Sequence, residues 1–463
     1  MIGHAPVFRA LRRASTSPFK TLNGGGTYGY TPQRLRMDSK NRAFPPGTVG
    51  GEGHLHPSPA TAPTAGETET HMTTHHVGVT TGQGRTDRFG FMGTDLGYLT
   101  LTNHGYVIAT FGDTFESALP GGPGWRSPVM LRTSNRDLEN GIKWDNAVGG
   151  SYAKQVISYR RNLNTKRNGW DDPFTVIPND VIHLPDGQYL MSAHHVRTWA
   201  RVGRASWWSF CNRLYQTRER NAEDWYASDW ADLPGNGPAQ FNNDHGAWRV
   251  FQNATFVLQG DYLYMFGTES GRTSGGGIYL ARVPWQKWDH LFAWQFWGWT
   301  GSGWAWGTQA PTPILMPSLE GGAIGEINAR IIEGVVVLAY MEYANGPSLS
   351  WSAAVTRTAP TPDSIWTAPQ VHMTSDMQAN PYAPAIHPYS TLDKPFMHLS
   401  QWTGGTLYGC HLYGLGALVR PGQGDGLVDL SGLPNTGLKT TAAAKFARGD
   451  LALQARIMAK AQL

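Results

Sequence analysis

Apolar and polar side chains alternate in short runs along most of residues 76–418, a period that suits half-buried strands rather than helices. Once the runs are aligned, one three-step order recurs five times. An inner unit reads GTDLGYLTL, IPNDVIHL, FQNATFVLQ, GEINARIIE and PAIHPYS. A second reads YVIATFGDT, QYLMSAHHV, YLYMFGTES, VVVLAYMEY and PFMHLSQWT, and a third reads PVMLRTSNR, FCNRLYQTR, GIYLARVPW, SAAVTRTAP and TLYGCHLYG. Asn-His-Gly, Pro-Asp-Gly, Gln-Gly-Asp and Glu-Gly fill most of the first turns, as tight hairpins require. Five such sets, each with room for a weaker outer strand, predict an all-β fold, a five-bladed β-propeller. A β-sandwich also uses short alternating strands but does not account for a fivefold recurrence.

The flanks differ in texture. Residues 1–75 are rich in Gly, Pro, Ser and Thr and are expected to form an irregular extension that could serve for attachment. Residues 419–463 form a tail whose last stretch, with Phe446, Leu453 and Ile457, has helical composition weakened by Gly449. Within the propeller, 114–128, 196–209 and 226–249 are long loops of the kind that build a binding face on a rigid scaffold.

Composition narrows the functional classes. With 56 Gly, 30 Pro, 19 Trp and only 16% charged residues, the 463-residue chain suits strands and turns better than helical bundles. A net charge of +4, with its cations scattered, argues against nucleic acid as a partner. No apolar run is long enough to span a membrane, and MIGHAPVFRALRRASTSPFK lacks the apolar stretch of a signal peptide. Cys211 and Cys410 form no zinc spacing; buried thiols are expected, with a disulfide left open. His54, His56, His71, His75 and His76 have no fixed ligand spacing, and His194 and His195 point to opposite faces of a strand, so no metal is expected. No glycine loop follows a strand and opens a helix, so no cofactor is expected either.

Two aspartates stand out. If 95–102 and 106–113 pair around Asn103-His104-Gly105, opposed residues sum to 208 and Asp95 faces Asp113 at the end of an apolar row. Opposed like charges destabilise a hairpin unless one carboxyl keeps its proton. Retaining glycosidases use such a pair, about 5–5.5 Å apart, as nucleophile and acid/base. The alternative is that one Asp caps a turn while the other meets Arg126 or Arg132. Glu269, Arg272, Glu326, Asn328, Asn253 and His387 fall at expected inner-strand ends, where they could bind sugar hydroxyls or satisfy the backbone. One of Trp297, Trp299, Trp304 and Trp306 could be a sugar platform, although large aromatics are mostly packing residues.

The collinear order GTDLG, FGDTF, WRSPVMLRTS, TVIPND, FQNATFVLQGDYLYMFGTESGR, IYLARVP, GEINAR, RTAPTP, WTAPQV, IHPYS and LSQW resembles glycoside hydrolase family 183, whose members carry the domain of unknown function numbered 4185. The resemblance covers nearly all of 80–415. It implies a five-bladed propeller with endo-D-arabinanase activity, cleaving α-D-arabinofuranosidic bonds of mycobacterial arabinogalactan and lipoarabinomannan with retention. It also implies that Asp95 and Asp113 are catalytic; Asp95 is taken as nucleophile and Asp113 as acid/base. Asp180, in IPNDVI, aligns with Asp95 where the family has small residues, and is expected to bind sugar, replace one of the pair or cap a strand. A mycobacterial wall substrate, with the terminal segments, suggests a bacteriophage tail protein acting on the host wall, its termini joined to other tail proteins or to further copies of the chain. The alternative from another class is a non-catalytic arabinan-binding adhesin of the virion.

Overall fold

The computed structural model describes residues 74–163, 172–235, 237–244, 246–272, 276–318, 322–344 and 351–422. All but the last two residues of the expected amino-terminal extension, 1–75, and most of the carboxyl-terminal tail lie outside these residues. Apart from short 3-10 turns, the described elements are strands.

β1 (His75–Val79) comes first and stands apart from the strands that follow it. The first sheet comprises β2 (Leu96–Leu101), β3 (Val107–Phe111), β4 (Val129–Thr133) and β5 (Asn146–Ala147). The second holds β6 (Thr175–His183), β7 (Tyr189–Thr198), β8 (Trp208–Thr217), β9 (Tyr226–Ala227) and β10 (Gln240–Asn242). The third runs β11 (Asn253–Gln259), β12 (Tyr262–Thr268), β13 (Tyr279–Pro284), β14 (Gln295–Trp299) and β15 (Trp304–Gly307). The fourth is β16 (Ala323–Ile332), β17 (Val335–Ala344), β18 (Trp351–Ala359) and β19 (Gln370–Thr374). The fifth contains β20 (Pro381–Ile386), β21 (Phe396–Trp402) and β22 (Tyr408–Gly414), and β1 completes it by pairing with β22, His75 opposite Gly414 and Val79 opposite His411. The ring is thus sealed by a strand from the other end of the chain, which the fivefold repeat did not reveal.

Each sheet is antiparallel, its strands pairing in sequence order except where β9 and β10 both pair with β8 and where β1 joins β22, and each inner strand packs on the next: β2 on β6, β6 on β11, β11 on β16, β16 on β20, and β20 back on β2. That closed circuit of five is a propeller. Apolar faces of adjacent sheets form the core between them. Leu99, Ala109, Phe111 and Leu131 of the first sheet meet Phe396, Cys410 and Leu412 of the fifth, and Leu190 and Leu214 of the second meet Phe256 and Met265 of the third. Each such large apolar side chain, fully buried, contributes roughly 1.5–3 kcal/mol. Cys211 and Cys410 are both buried free thiols.

Two alignments made from short motifs shift in the structure. The fifth inner strand begins at Pro381 and ends before His387, and the second begins at Thr175, five residues ahead of Asp180. At about 3.3 Å per residue, five positions along a strand is about 16 Å. Asp180 therefore lies level with Leu99 and Thr100, not with Asp95: Thr100 Oγ1 donates to Val181 O at 2.6 Å. There Asp180 is wholly buried and forms a two-pronged ion pair with Arg330, whose Nη2 and Nη1 reach Oδ1 and Oδ2 at 2.7 and 2.9 Å. Its carboxylate also accepts from Thr255 Oγ1 at 2.6 Å, Phe256 N at 3.0 Å and Val181 N at 2.9 Å. Five donors leave it no capacity for a sugar. Arg330 Nε continues to Leu99 O at 2.8 Å, so one ion pair ties four sheets together.

Candidate active site

The inner strands start at one end of the ring, and Asp95 sits immediately before β2. Residues 98–101 pair in the expected register, Tyr98 with Thr110 through Leu101 with Val107, but a bulge moves Leu96 opposite Phe111. Asp95 therefore faces Gly112, whose N–H donates to Asp95 O at 3.1 Å, and Asp113 lies one residue beyond. The bulge consists of two consecutive left-handed residues, Leu96 at φ 67° and Gly97 at φ 76°. Such bulges re-aim side chains beside functional sites. The fifth sheet holds this one: Ser400 Oγ accepts from Leu96 N at 2.7 Å and donates to Leu96 O at 3.2 Å, and His398 Nδ1 bonds Gly97 O at 3.0 Å. A Cβ on Gly97 would lie 2.3 Å from the His398 ring, so only glycine fits.

The two carboxyl groups have different surroundings. Asp95 Oδ2 accepts from the Tyr382 hydroxyl at 3.0 Å, while Oδ1 is buried against Gly112 without a hydrogen-bond partner. The residue as a whole retains some exposure. Burial, and then the charge of Asp113, push its carboxyl up to about 7 against the pull of Tyr382, Tyr408 and Arg272. Asp113 is raised by burial as well, but Thr175 Oγ1 and Trp125 Nε1 both donate to its Oδ1 at 2.7 Å, and the Arg161 charge also favours its ionised form. Tyr408 bridges the pair, donating to Asp113 O at 2.9 Å while reaching the Asp95 carboxyl.

A third acid closes the other side. Glu326 occupies a bulge in β16, where the Arg272 guanidinium and the Tyr343 hydroxyl, the latter at 2.9 Å, donate to it. Arg272 also lies over the Tyr382 ring at 4.5 Å, and the charges of Asp95 and Glu326 both act on Tyr98. Burial keeps Tyr98, Tyr343, Tyr382 and Tyr408 protonated. The site thus presents one carboxyl raised to about 7, a second raised by burial but drawn back by two donors and a cation, and a set of neutral hydroxyls. Such a site can transfer a proton, supply a nucleophile and bind an uncharged polyol.

Residues 81–413 match the family described as Domain of unknown function (DUF4185). The chain belongs to that family. In Aspergillus versicolor the Notoamide biosynthesis cluster protein J' is 30% identical over 328 residues, covering 68% of this chain and 82% of that protein. An uncharacterised 35.9 kDa protein of Mycolicibacterium smegmatis is 25% identical over 326 residues, covering 65% of this chain and 86% of the other. A family 117 glycoside hydrolase from the marine bacterium Zobellia galactanivorans superposes with a TM-score of 0.40 at 10% identity, over 74% of this chain and 90% of that one.

In this DUF4185 chain Asp95, Asp113, Glu326 and Arg272 come together, and the other candidates do not join them. Asn328 is buried deeper in the ring, its Oδ1 accepting from Ile386 N at 3.2 Å. His387, just past the far end of β20, is fully buried and held neutral, its pKa lowered to about 3 by burial. Asn253 is committed to Thr268 Oγ1 and Glu269 O, at 3.1 and 2.9 Å, and Glu269 pairs with Arg249 at 2.9 Å. Trp297, Trp299, Trp304 and Trp306 pack on one another on β14 and β15, the outermost strands of the third sheet and remote from the inner ends. Sequence reasoning missed Trp125, Thr175, Tyr382 and Tyr408. The first two stand in the quoted WRSP and TVIPND motifs; the tyrosines arrive from the fifth sheet and have no local signal. Among the described residues no three His, Cys, Asp or Glu side chains are grouped to hold a metal. No described helix is long and apolar enough to cross a membrane.

Proposed function

We propose that the chain is a retaining endo-D-arabinanase acting on the α-D-arabinofuranosidic bonds of mycobacterial wall arabinan. The observation that carries this reading is the unequal pair: burial and its neighbour raise Asp95 to about 7, whereas two donors on one oxygen oppose the rise that burial causes at Asp113. The substrate is taken from the resemblance of GTDLG, FGDTF and the motifs that follow to the arabinan-cleaving family. The unequal surroundings favour roles opposite to those first expected. Asp113 attacks the anomeric carbon as the bond to the leaving sugar breaks, and the departing oxygen takes the Asp95 proton. Asp95 then removes a proton from water, which displaces Asp113 from the same carbon with the original configuration restored.

Incubation with purified mycobacterial arabinogalactan should release oligosaccharides whose first-formed anomer, read by proton NMR, matches the substrate. Asp95→Asn and Asp113→Asn should each lose about 10²–10⁴-fold in rate. Tight binding with no fragments from the unmodified protein would instead identify an adhesin, and an inverted product would remove the covalent step. Action at a virion tail is proposed together with this substrate and is tested by mass spectrometry of purified virions.

A further inference from the structure

Arg161 reaches the site from the segment that follows the first sheet, and no motif marks it. Its guanidinium carbon lies 3.4 Å from the centroid of the Trp125 indole, its Nη2 donates to the Tyr159 hydroxyl at 3.1 Å, and its Nη1 donates to Phe174 O at 3.3 Å. Each of these neighbours leads to Asp113. Trp125 Nε1 donates to Asp113 Oδ1 at 2.7 Å; Thr175, next in sequence after Phe174, donates to the same oxygen at 2.7 Å; and the Tyr159 hydroxyl lies 3.4 Å from Thr175 Oγ1. Among the described residues nothing donates to Asp113 Oδ2.

We propose that Arg161 is a positioning residue: by clamping Trp125, Tyr159 and Phe174 it fixes both donors on Oδ1 of Asp113, leaving Oδ2 as the oxygen presented to the sugar. What Oδ2 attacks rests on the hydrolase reading; the clamp itself does not. A cation over an indole face is held by the ring quadrupole and orients the ring. The charge also acts directly on the carboxylate. The other titratable groups facing Asp113 are Asp95, Tyr408 and Tyr159. Arg161→Gln removes the charge together with the clamp, so the clamp is read from the part of the Asp113 shift that persists in Arg161→Lys, which keeps the charge.

The test uses the full chain with Arg161→Gln, Arg161→Lys and Trp125→Phe, the last removing a donor while keeping an aromatic ring under the cation. Aspartate carboxyl carbons are labelled and followed by NMR against pH, with the Asp113 signal identified by its loss in Asp113→Asn. The Asp113 midpoint should rise by about one unit in Arg161→Gln. It should also rise in Trp125→Phe and lie closer to the unmodified protein in Arg161→Lys. On arabinogalactan, Arg161→Gln should lose about tenfold in kcat with KM within about twofold, and the acidic limb of the rate profile should move to higher pH. A midpoint unmoved in Arg161→Gln, or moved there but unmoved in Arg161→Lys, overturns the clamp. So does a raised KM with kcat and the acidic limb unchanged, which would make Arg161 a sugar contact. Intact arabinogalactan alongside a midpoint that is also shifted in Arg161→Lys removes the hydrolase reading and keeps the clamp.

Discussion

Asp95 combines partial exposure with a proton held to about pH 7, and this fixes the sign of two measurements. A general acid must be protonated and a nucleophilic carboxylate ionised. With the proposed roles, the rate should fall as pH rises through about 7, where Asp95 loses the proton it would donate, and fall again as pH drops through the value of Asp113, above the usual 3.8. A pH profile of kcat/KM checks this, and an alkaline limb well above 7 would take the acid role from Asp95. Stability has its own dependence. The folded Asp95 binds its proton more tightly than the unfolded chain does, so the cost of keeping it buried is absent below pH 3.8, grows as pH rises, and is complete above about 7. Asp95→Asn removes a penalty of the order of a few kcal/mol at pH 8 and none at pH 3.5. Thermal melts of both proteins should differ, with the variant higher, only at the alkaline end.

The bulge of β2 turns an ordinary hairpin into a site. Without it Asp95 would stand opposite Asp113 and two carboxyl groups would share one face; with it, Asp95 lies against Gly112 and the two approach from different elements. A Cβ on Gly112 would sit 2.4 Å from Asp95 Oδ1 and 3.0 Å from Leu96 Cδ1. Gly112→Ala should therefore displace the carboxyl, costing about 10²-fold in kcat with a small shift in the melting temperature; an unchanged rate would show that the carboxyl has room to move. The hairpin itself was legible because the alternation of LGYLTL with VIATF and the turn at Gly105 are local. The bulge was not, since the groups that hold it, Ser400 and His398, lie some three hundred residues away in sequence. The same limit misplaced His387 and Asp180. Motifs around a polar residue were aligned with one another, whereas depth in the ring depends on where each strand begins, at Pro381 and Thr175.

Across the whole molecule the Asp180–Arg330 pair has a different task from the acids above it. It joins residues of β6 and β16 while taking donors from β11 and giving one to β2, entirely out of solvent on the Asp180 side. Removing one partner strands the other charge, so Arg330→Met should cost about 3–5 kcal/mol. Chemical denaturation measures that loss; a variant as stable as the unmodified protein would show that the pair is dispensable to the ring. The seam between β1 and β22 sets the order of events during synthesis. A ribosome makes His75 long before Gly414, so the earliest strand waits without its partner until the final hairpin emerges, and nascent chains halted before that point keep an open circle.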